Sequence, residues 1–363
     1  MNTLSMRHHV VKRSYSCSDG LTPSRTLDLK EDYLIMNTQN IVKSLCIVAT
    51  LAVAIPASAN EIYAYIPTLK QTVQVTNFLP ISEAGGKDTY NPTISPYGFQ
   101  VVAETWSTNY TNADCEITNI LTHVTTPLAG TLGCNNAAWS PNGKFIAYDN
   151  SNANYPVSNT NIYIIPAGGG TPILVRAAAY DARWSPDSSM LVFEDLSSMY
   201  LTSGISVLKT INLATKTETT ISAGQPYDYQ NPAWSPNGKF ITYNRGVYDP
   251  TLGYVANDDV YIVPVDRNGN VTGPATQMTF GGEGSNIYNQ NPSFSPDSRS
   301  IAFQSNGYGT SPVTDYNFFI YLISLADRSA PVPKLLTGLP GGANYNPAFS
   351  SDLPFLVYSG QDP

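Results

Sequence analysis

Histidine is the side chain most often used for acid–base catalysis near neutral pH, and this chain has few of them. It contains three histidines in 363 residues, and only His123 lies beyond the first ten residues. The serine-hydrolase motif G-x-S-x-G, the zinc motif H-E-x-x-H and the phosphate-binding glycine motifs are absent from the sequence. We therefore predict no catalytic residue, no protein-bound metal and no cofactor, and a non-enzymatic binding protein is the leading hypothesis.

Tyrosine, with 24 residues, is the distinctive side chain of this sequence. Several tyrosines occur together with asparagine in polar segments between predicted strands. Tyrosine offers a large contact area and a hydroxyl group, and asparagine adapts its hydrogen bonds to a partner. These segments predict a binding surface that contains Tyr110, Tyr155, Tyr180, Tyr229, Tyr248, Tyr288 and Tyr308. The alternative is that an exported β-protein simply fills its loops with such residues.

Six copies of one sequence pattern organise the chain around these segments. They occupy residues 90–104, 135–149, 180–194, 230–244, 290–304 and 345–359, and the fourth reads QNPAWSPNGKFITYN. Self-similarity at such a period indicates stacked structural units rather than two unrelated domains.

Each copy predicts two strands that are joined by a tight turn. A short strand a ends at an aromatic residue such as Trp234, a Ser-Pro turn follows, and strand b alternates apolar and polar residues. Hairpins downstream, at 161–175, 259–280 and 318–337, supply strands c and d. Four antiparallel strands at this period form one blade of a β-propeller.

The two ends of the repeat region predict how the ring of blades closes. Residues 60–78 are typical of a c–d hairpin, and the last copy ends after an a–b pair near Tyr358. Joined, they complete a blade and leave no open sheet edge. The prediction is an all-β, six-bladed propeller of four-stranded antiparallel blades. An open β-sandwich, the alternative, explains neither the period nor the complementary ends.

In a propeller the start of each strand a lies at the rim of the central channel. The predicted rim residues are Asn91, Asn136, Asp181, Arg183, Asn231, Asn291 and Asn346. Their polar groups could bind water, a cation such as calcium, or the end of a peptide. The alternative is that they only satisfy backbone groups at the strand starts.

Charge excludes some partners. The formal net charge is −8, and the bulk of the chain has no basic run. Both features argue against binding to nucleic acid or to an anionic membrane surface.

The N-terminal region resembles an export signal. Lys43 precedes an apolar run from Leu45 to Ile55, and Ala57, Ser58 and Ala59 then form an A-x-A cleavage site. The run is too short to span a bilayer; a buried core helix is the alternative. We interpret 1–35 as a wrongly assigned start or a disordered extension, 36–59 as the signal peptide, and 60–363 as a single propeller without a membrane span.

Export makes a disulfide plausible, because only Cys115 and Cys134 remain after residue 59. Cys115 opens a predicted strand c and Cys134 closes a predicted strand d. With a turn near Val124 and Thr125 the two cysteines face each other across the hairpin. We therefore predict a cross-strand disulfide within blade one, with two unpaired thiols as the alternative.

The pattern N-P-x-W-S-P-[DN]-G-K-x-I-x-Y, clearest at 231–243 and 136–148, resembles the repeat of TolB-type, WD40-like β-propellers. The likeness extends over residues 60–363. It implies a periplasmic protein that binds proteins or peptides with its propeller, as TolB binds the Pal lipoprotein. The α/β domain that precedes the TolB propeller has no counterpart here, which puts contacts made by that domain in doubt. Similar repeats occur in prolyl oligopeptidase-like enzymes and in some pectin-degrading lyases.

Taken together, these patterns predict a monomeric, periplasmic or secreted protein of the bacterial envelope. It would bind a protein or peptide partner through its tyrosine- and asparagine-rich loops. A glycan-binding propeller or polysaccharide-active enzyme is the alternative, and a scaffold with a metal in its channel is a third hypothesis.

Overall fold

The computed structural model describes residues 59–363 except 68–69, 80–84, 108–112, 132, 151–159, 198–204, 223–226, 250–253, 282–286, 308–317, 327, 329–330, 337–338, 340–342, 354 and 362–363. All of them belong to one compact unit, Ala54–Pro363. The predicted segments 1–35 and 36–59 lie outside the described residues, apart from Ala59.

The described chain forms six four-stranded sheets. Their strands, in chain order, are β1 (Asn60–Ile66), β2 (Gln71–Gln74), β3 (Lys87–Ile94), β4 (Gln100–Ser107), β5 (Ala113–Asn119), β6 (Thr125–Pro127), β7 (Asn135–Trp139), β8 (Phe145–Asp149), β9 (Asn161–Pro166), β10 (Ile173–Ala177), β11 (Ala179–Trp184), β12 (Met190–Asp195), β13 (Val207–Asn212), β14 (Glu218–Thr220), β15 (Tyr227–Trp234), β16 (Phe240–Asp249), β17 (Tyr254–Pro264), β18 (Thr276–Gln277), β19 (Asn289–Phe294), β20 (Ser300–Ser305), β21 (Phe319–Ser324), β22 (Lys334–Leu335), β23 (Asn344–Phe349) and β24 (Leu356–Gln361).

Each sheet is one blade, so the predicted six-bladed propeller is confirmed. Blades one to five are β3–β6, β7–β10, β11–β14, β15–β18 and β19–β22, and all strand pairs are antiparallel. Blade six combines β23 and β24 with β1 and β2, and Tyr63 of β1 pairs with Tyr358 of β24. The innermost strand of each blade contacts the innermost strand of the next, and β23 contacts β3. The described residues contain no helix long and apolar enough to cross a membrane.

The Ser-Pro motifs form the a–b turns, as predicted. In blade four the Ser235 hydroxyl donates to Asn237 Oδ1 at 2.9 Å and accepts the Phe240 N–H at 2.9 Å. Gly238 has a φ of 69°, a conformation that glycine adopts without steric cost. The local side-chain bonds explain why this turn is specified by its own residues.

A β-bulge interrupts every innermost strand. The residue at its start has a left-handed φ of 44–52° in all six blades, and these residues, called here the bulge ring, are Asn91, Asn136, Asp181, Asn231, Asn291 and Asn346. Asparagine and aspartate tolerate this conformation better than other non-glycine residues. The recurring asparagine of the sequence pattern therefore has a backbone role, in addition to any role at the channel.

The core lies between neighbouring blades. Trp234, 8% exposed, packs with Val192 and Leu208 of blade three, and similar apolar clusters lie between other successive blades. Removing such side chains from water is the main stabilising contribution to a ring of sheets.

Two predicted details of the elements are wrong. The innermost strands begin earlier than expected, so Tyr180 and Tyr229, predicted in segments between strands, lie within β11 and β15. The disulfide Cys115–Cys134 is confirmed, with a Cα–Cα distance of 5.2 Å, but Cys134 does not close strand d. Thr118 pairs with Thr125 in β5 and β6, so the turn lies earlier, and Cys134 comes just before β7 of blade two.

Candidate functional site

The predicted tyrosines were expected on the face of the propeller that carries the b–c and d–a connections, called here the loop face. Tyr110, Tyr155 and Tyr308 lie outside the described residues. Tyr248 and Tyr288 are half-buried and lie where they were expected, near the ends of β16 and β19.

Tyr229 and Tyr180 are not surface groups of the kind predicted. Tyr229 is 5% exposed and packs with Tyr243 in the cluster between blades three and four. Tyr180 is a half-buried strand residue, and burial together with the nearby Asp149 and Asp181 carboxylates raises the pKa of its hydroxyl. A buried tyrosine cannot offer its ring to a partner, so Tyr229 is excluded as a contact residue.

Among the described residues, the second strand of blade four is longer than those of its neighbours. Strand β16 continues to Asp249, whereas β12 and β20 end at Asp195 and Ser305, the positions that correspond to Arg245. The additional pairs Tyr248–Val255 and Asp249–Tyr254 extend β16 and β17 as a two-stranded hairpin, called here the arm. Four further residues add roughly 13 Å at about 3.3 Å per residue.

Packing holds the base of the arm in place. A bulge in the arm follows Gly246, where a Cβ atom would lie 2.1 Å from the Asn257 carbonyl oxygen, so only glycine fits. Asp258 forms a parallel bridge with Tyr288 of the next blade. The arm is therefore fixed between blades four and five.

A cation–aromatic sandwich supports the arm from blade four itself. The Arg245 guanidinium lies 4.1 Å from the ring centre of Tyr227 and 4.0 Å from that of Tyr261, and it donates to the Tyr261 hydroxyl at 2.6 Å. Such stacking stabilises by about 0.5–2 kcal/mol. Arg245 was not among the binding residues predicted from the sequence. It begins residues 245–258, the long connection between strands b and c of blade four, and the length of that connection could have drawn attention to it.

A belt of polar side chains surrounds the channel on the loop-face side of the bulge ring. It consists of the equivalent strand-b residues Glu104, Asp149, Glu194, Asn244, Gln304 and Ser359. Several belt residues accept the backbone N–H of the next blade's bulge residue: Glu104 from Asn136 at 3.0 Å, Asp149 from Asp181 at 3.2 Å, Glu194 from Asn231 at 2.8 Å and Gln304 from Asn346 at 2.7 Å. The belt thus connects blades.

Burial raises the pKa values of several carboxyl groups in and near the belt. Desolvation raises the pKa of Glu104 and raises that of Glu194 well above its ordinary range, with the Asp181 charge adding to both shifts. Desolvation also raises the pKa of Asp258 to about 6. These carboxyl groups hold blades together and are not open to a substrate.

The central cavity lies on the other side of the bulge ring. It has a volume of about 220 Å³ and extends to the a–b turns, so it faces away from the loop face. Its polar lining includes the predicted rim residues Asn91, Asp181, Arg183, Asn231, Asn291 and Asn346; Asn136 is 4% exposed and is not part of the lining. Prolines and the aromatic residues that end the innermost strands form its apolar wall.

A protein-bound metal ion needs several ligand side chains that converge on one point. Among the described residues, no group of three or more histidine, cysteine, aspartate or glutamate side chains is arranged to hold a metal ion. The third hypothesis, a cation in the channel, therefore has no histidine, cysteine or carboxylate ligand set in this part of the chain.

Comparisons with known proteins agree on the fold. A TolB-assigned protein from Agrobacterium tumefaciens superposes with a TM-score of 0.62 at 18% identity, covering 85% of this chain and all of that one. A puromycin-hydrolyzing peptidase of Mycobacterium tuberculosis gives 0.50 at 12% identity, covering 75% of this chain and 40% of its own. An oligogalacturonate lyase from Vibrio parahaemolyticus gives 0.49 at 12% identity, covering 82% of each chain.

At such identities the first two likenesses show a shared propeller and nothing about activity. No family model matches the chain, and no curated protein matches it.

Proposed function

We propose that this protein is an exported, non-enzymatic propeller that binds a protein or peptide partner through its loop face. The arm of blade four carries the proposal. It presents Tyr248, its base adjoins Tyr288 through the Asp258 bridge, and it is fixed by Gly246 and Arg245 before any partner arrives. Preorganised aromatic residues on a rigid element favour binding because little conformational entropy is lost.

The disulfide supports the exported location. Cys115 and Cys134 are both fully buried and bonded to each other, which is typical of proteins that fold in an oxidising compartment. The segment before Asn60 supplies the signal features for that route.

The carboxyl groups of the belt argue against the polysaccharide-active alternative. Glycoside hydrolysis uses two carboxyl groups that flank the substrate in an open site. Here Glu104, Asp149 and Glu194 are at most 6% exposed, and each accepts a backbone N–H from the next blade. Groups committed in this way support a binding protein over an enzyme.

The test combines capture with a direct affinity measurement. The secreted protein is used to capture partners from an envelope fraction, and calorimetry then gives the Kd of each captured protein for wild type and variants. Tyr248→Ala and Tyr288→Ala should each weaken binding about 30-fold, because truncating an aromatic anchor costs about 2 kcal/mol.

Tyr97→Ala is the matched control. Tyr97 is 63% exposed in the a–b turn of blade one, on the opposite face. Its removal should leave the Kd unchanged. Equal affinity of wild type, Tyr248→Ala and Tyr288→Ala for every captured protein would refute the loop face as the binding surface.

A further inference from the structure

Blade three differs from the other five blades at the wall of the central cavity. The bulge-ring residue is asparagine in five blades but Asp181 in blade three. Two residues later the other blades have threonine, serine or alanine, whereas blade three has Arg183. The two exceptions are in one blade and in contact, so the sixfold pattern is broken by a charged pair.

Asp181 holds one end of the guanidinium. Its Oδ1 lies 2.6 Å from Arg183 Nη1, and its Oδ2 accepts from Asn231 Nδ2 at 3.1 Å. Nη1 also donates to the Asn136 and Ala182 carbonyl oxygens, at 3.0 and 3.1 Å. The Asp181 side chain is only 1% exposed, so its contact with Arg183, called here the clamp, is almost inaccessible from the cavity.

The other edge of the guanidinium is available. No described residue accepts a hydrogen bond from Arg183 Nε or Nη2, and the side chain is 24% exposed where it lines the cavity. Nε and Nη2 together form the planar fork that matches the two oxygens of a carboxylate. A guanidinium fixed at one edge loses little freedom when the second edge binds.

The remaining lining is suited to the end of a peptide. Asn231 and Asn291 use their Nδ2 groups on Asp181 and Gln304, and no described residue donates to their Oδ1 atoms. Those oxygens could accept backbone N–H groups, which a free carboxylic acid lacks. At about 220 Å³ the cavity is below the range of about 300–1,000 Å³ typical of drug-sized ligands, so one or two residues fill it.

We propose that the central cavity binds the C-terminal carboxylate of a peptide, held by Arg183 Nε and Nη2, with the last side chain against the proline and aromatic wall. The site opens towards the a–b turns and is separate from the loop face, so it does not depend on the function proposed above. Asp352, the other carboxylate of the lining, lies at the turn end and opposes an anion there, which limits the affinity.

The test uses the full-length secreted protein and acetyl-Gly-Ala-Phe with a free carboxylate as the probe, measured by calorimetry. The same peptide with a C-terminal amide should bind at least tenfold more weakly. 3-Phenylpropionate, a free acid of similar shape, should also bind at least tenfold more weakly than the peptide acid.

The matched variant is D181N/R183A, which gives blade three the residues found at these positions in blades two and four. It should keep the melting temperature and bind acid and amide peptides equally weakly. R183K, which keeps the charge but not the fork, should bind the acid at intermediate strength. Equal binding of acid and amide by wild type, unchanged binding by D181N/R183A, or equally tight binding of 3-phenylpropionate would overturn the proposal.

Discussion

Residues of the same type have different roles in this propeller because the strands that carry them differ in exposure. Tyr229 and Tyr248 belong to adjacent strands of one blade. Tyr229 packs against Tyr243 between two sheets, and Tyr248 lies beyond the last row shared with other blades. Their chemistry is identical, so burial decides whether the ring stabilises the fold or is available to the proposed partner.

Tyr229→Ala should therefore destabilise the protein by about 3 kcal/mol or more, as expected when a buried aromatic side chain is truncated. Trp234→Ala should have a similar effect, because Trp234 lies in the same cluster. Urea unfolding followed by tryptophan fluorescence measures the free energy of unfolding for Tyr229→Ala, and far-UV circular dichroism does so for Trp234→Ala. Tyr248→Ala is the control and should change the free energy of unfolding by less than about 1 kcal/mol. A stable Tyr229→Ala variant would show that the blade interface does not need this ring.

Among the elements, the bulged innermost strand is the one that the chain repeats six times. The bulge-ring residue, asparagine in five blades and aspartate in blade three, takes a left-handed φ. The strand thereby gains one residue relative to its partner strand. In blade four, Gln230 pairs with Asn244 and Ala233 with Thr242, so two residues oppose one. The bulge also directs the next residues towards the cavity.

Backbone strain should appear when the bulge asparagine of blade four is replaced. Asn231 has a φ of 50°, and its side chain bonds Asp181 at 3.1 Å. Asn231→Ala and Asn231→Gly both lose that bond, but only alanine is strained in this conformation, by about 1 kcal/mol. Thermal unfolding should therefore rank wild type above Asn231→Gly and Asn231→Gly above Asn231→Ala. Equal stability of the two variants would mean that the bulge relaxes.

The disulfide connects two elements that belong to different blades. It joins Cys115 of β5 to the residue that leads into β7, with a sequence separation of 19. A loop of this size stabilises by about 3 kcal/mol in the chain-entropy model. The bond therefore limits how far blades one and two can separate.

Cys115→Ser combined with Cys134→Ser should lower the free energy of unfolding by about 3 kcal/mol, since the unfolded chain then regains its loop entropy. Urea unfolding with and without dithiothreitol measures it. Wild type should lose stability in the reductant, and the double variant should not respond to it. If reduced wild type, with both thiols detected, is as stable as the oxidised protein, the predicted contribution is wrong.

At the scale of the ring, the carboxyl groups of the belt, together with the nearby Asp258, link one blade to the next. Carboxyl groups with raised pKa values remain protonated in the folded state at a pH where the unfolded chain has lost those protons. The folded protein then binds more protons than the unfolded chain, so stability falls as the pH rises between the two pKa values. For Asp258 this window runs from about 4, the unfolded value, to about 6, the folded value.

Exposed aspartates whose pKa values are lowered have the opposite effect on stability: at a pH below this window, stability falls as the pH falls. Local hydrogen bonds lower the pKa of Asp266 and Asp297, so their contribution is lost as the pH falls through those values. The protein should thus be most stable in mildly acidic solution.

Asp258→Asn should raise the free energy of unfolding at pH 7 and flatten its pH dependence between pH 4 and 6, because the variant lacks the titrating group.

Melting temperatures at half-unit intervals from pH 3.5 to 8 test this expectation. A rise in pKa from 3.8 to about 6 corresponds to about 3 kcal/mol at most, and relaxation of the buried site reduces it. Asp266→Asn is the control: it should change the acid side of the profile and not the window from 4 to 6. A wild-type melting temperature that rises between pH 4 and 7 would contradict the expected direction of the pH dependence.

Local signals in the chain were sufficient for the architecture. The repeat period, the Ser-Pro turns and the complementary hairpins predicted six blades and their closure, because each feature is set by neighbouring residues. The pairing of Cys115 with Cys134 was also correct, since no other cysteine remained in that region. The predicted register was wrong because this turn is set by Asn119, whose Oδ1 accepts the Leu121 and Thr122 N–H groups, and no glycine or proline marks it.

Which side of its strand each side chain lies on was decided only by the tertiary structure. Strict alternation places residues 229 and 234 on opposite sides of a strand, yet Tyr229 and Trp234 lie in one cluster because the bulge at Asn231 adds a residue between them. The cavity lies on the side of the a–b turns, away from the loops. The Asp181–Arg183 clamp depends on contacts with Asn136 of blade two and Asn231 of blade four, about fifty residues apart in opposite directions. Such contacts form only when blades two, three and four pack together, so no local pattern in the sequence could predict them.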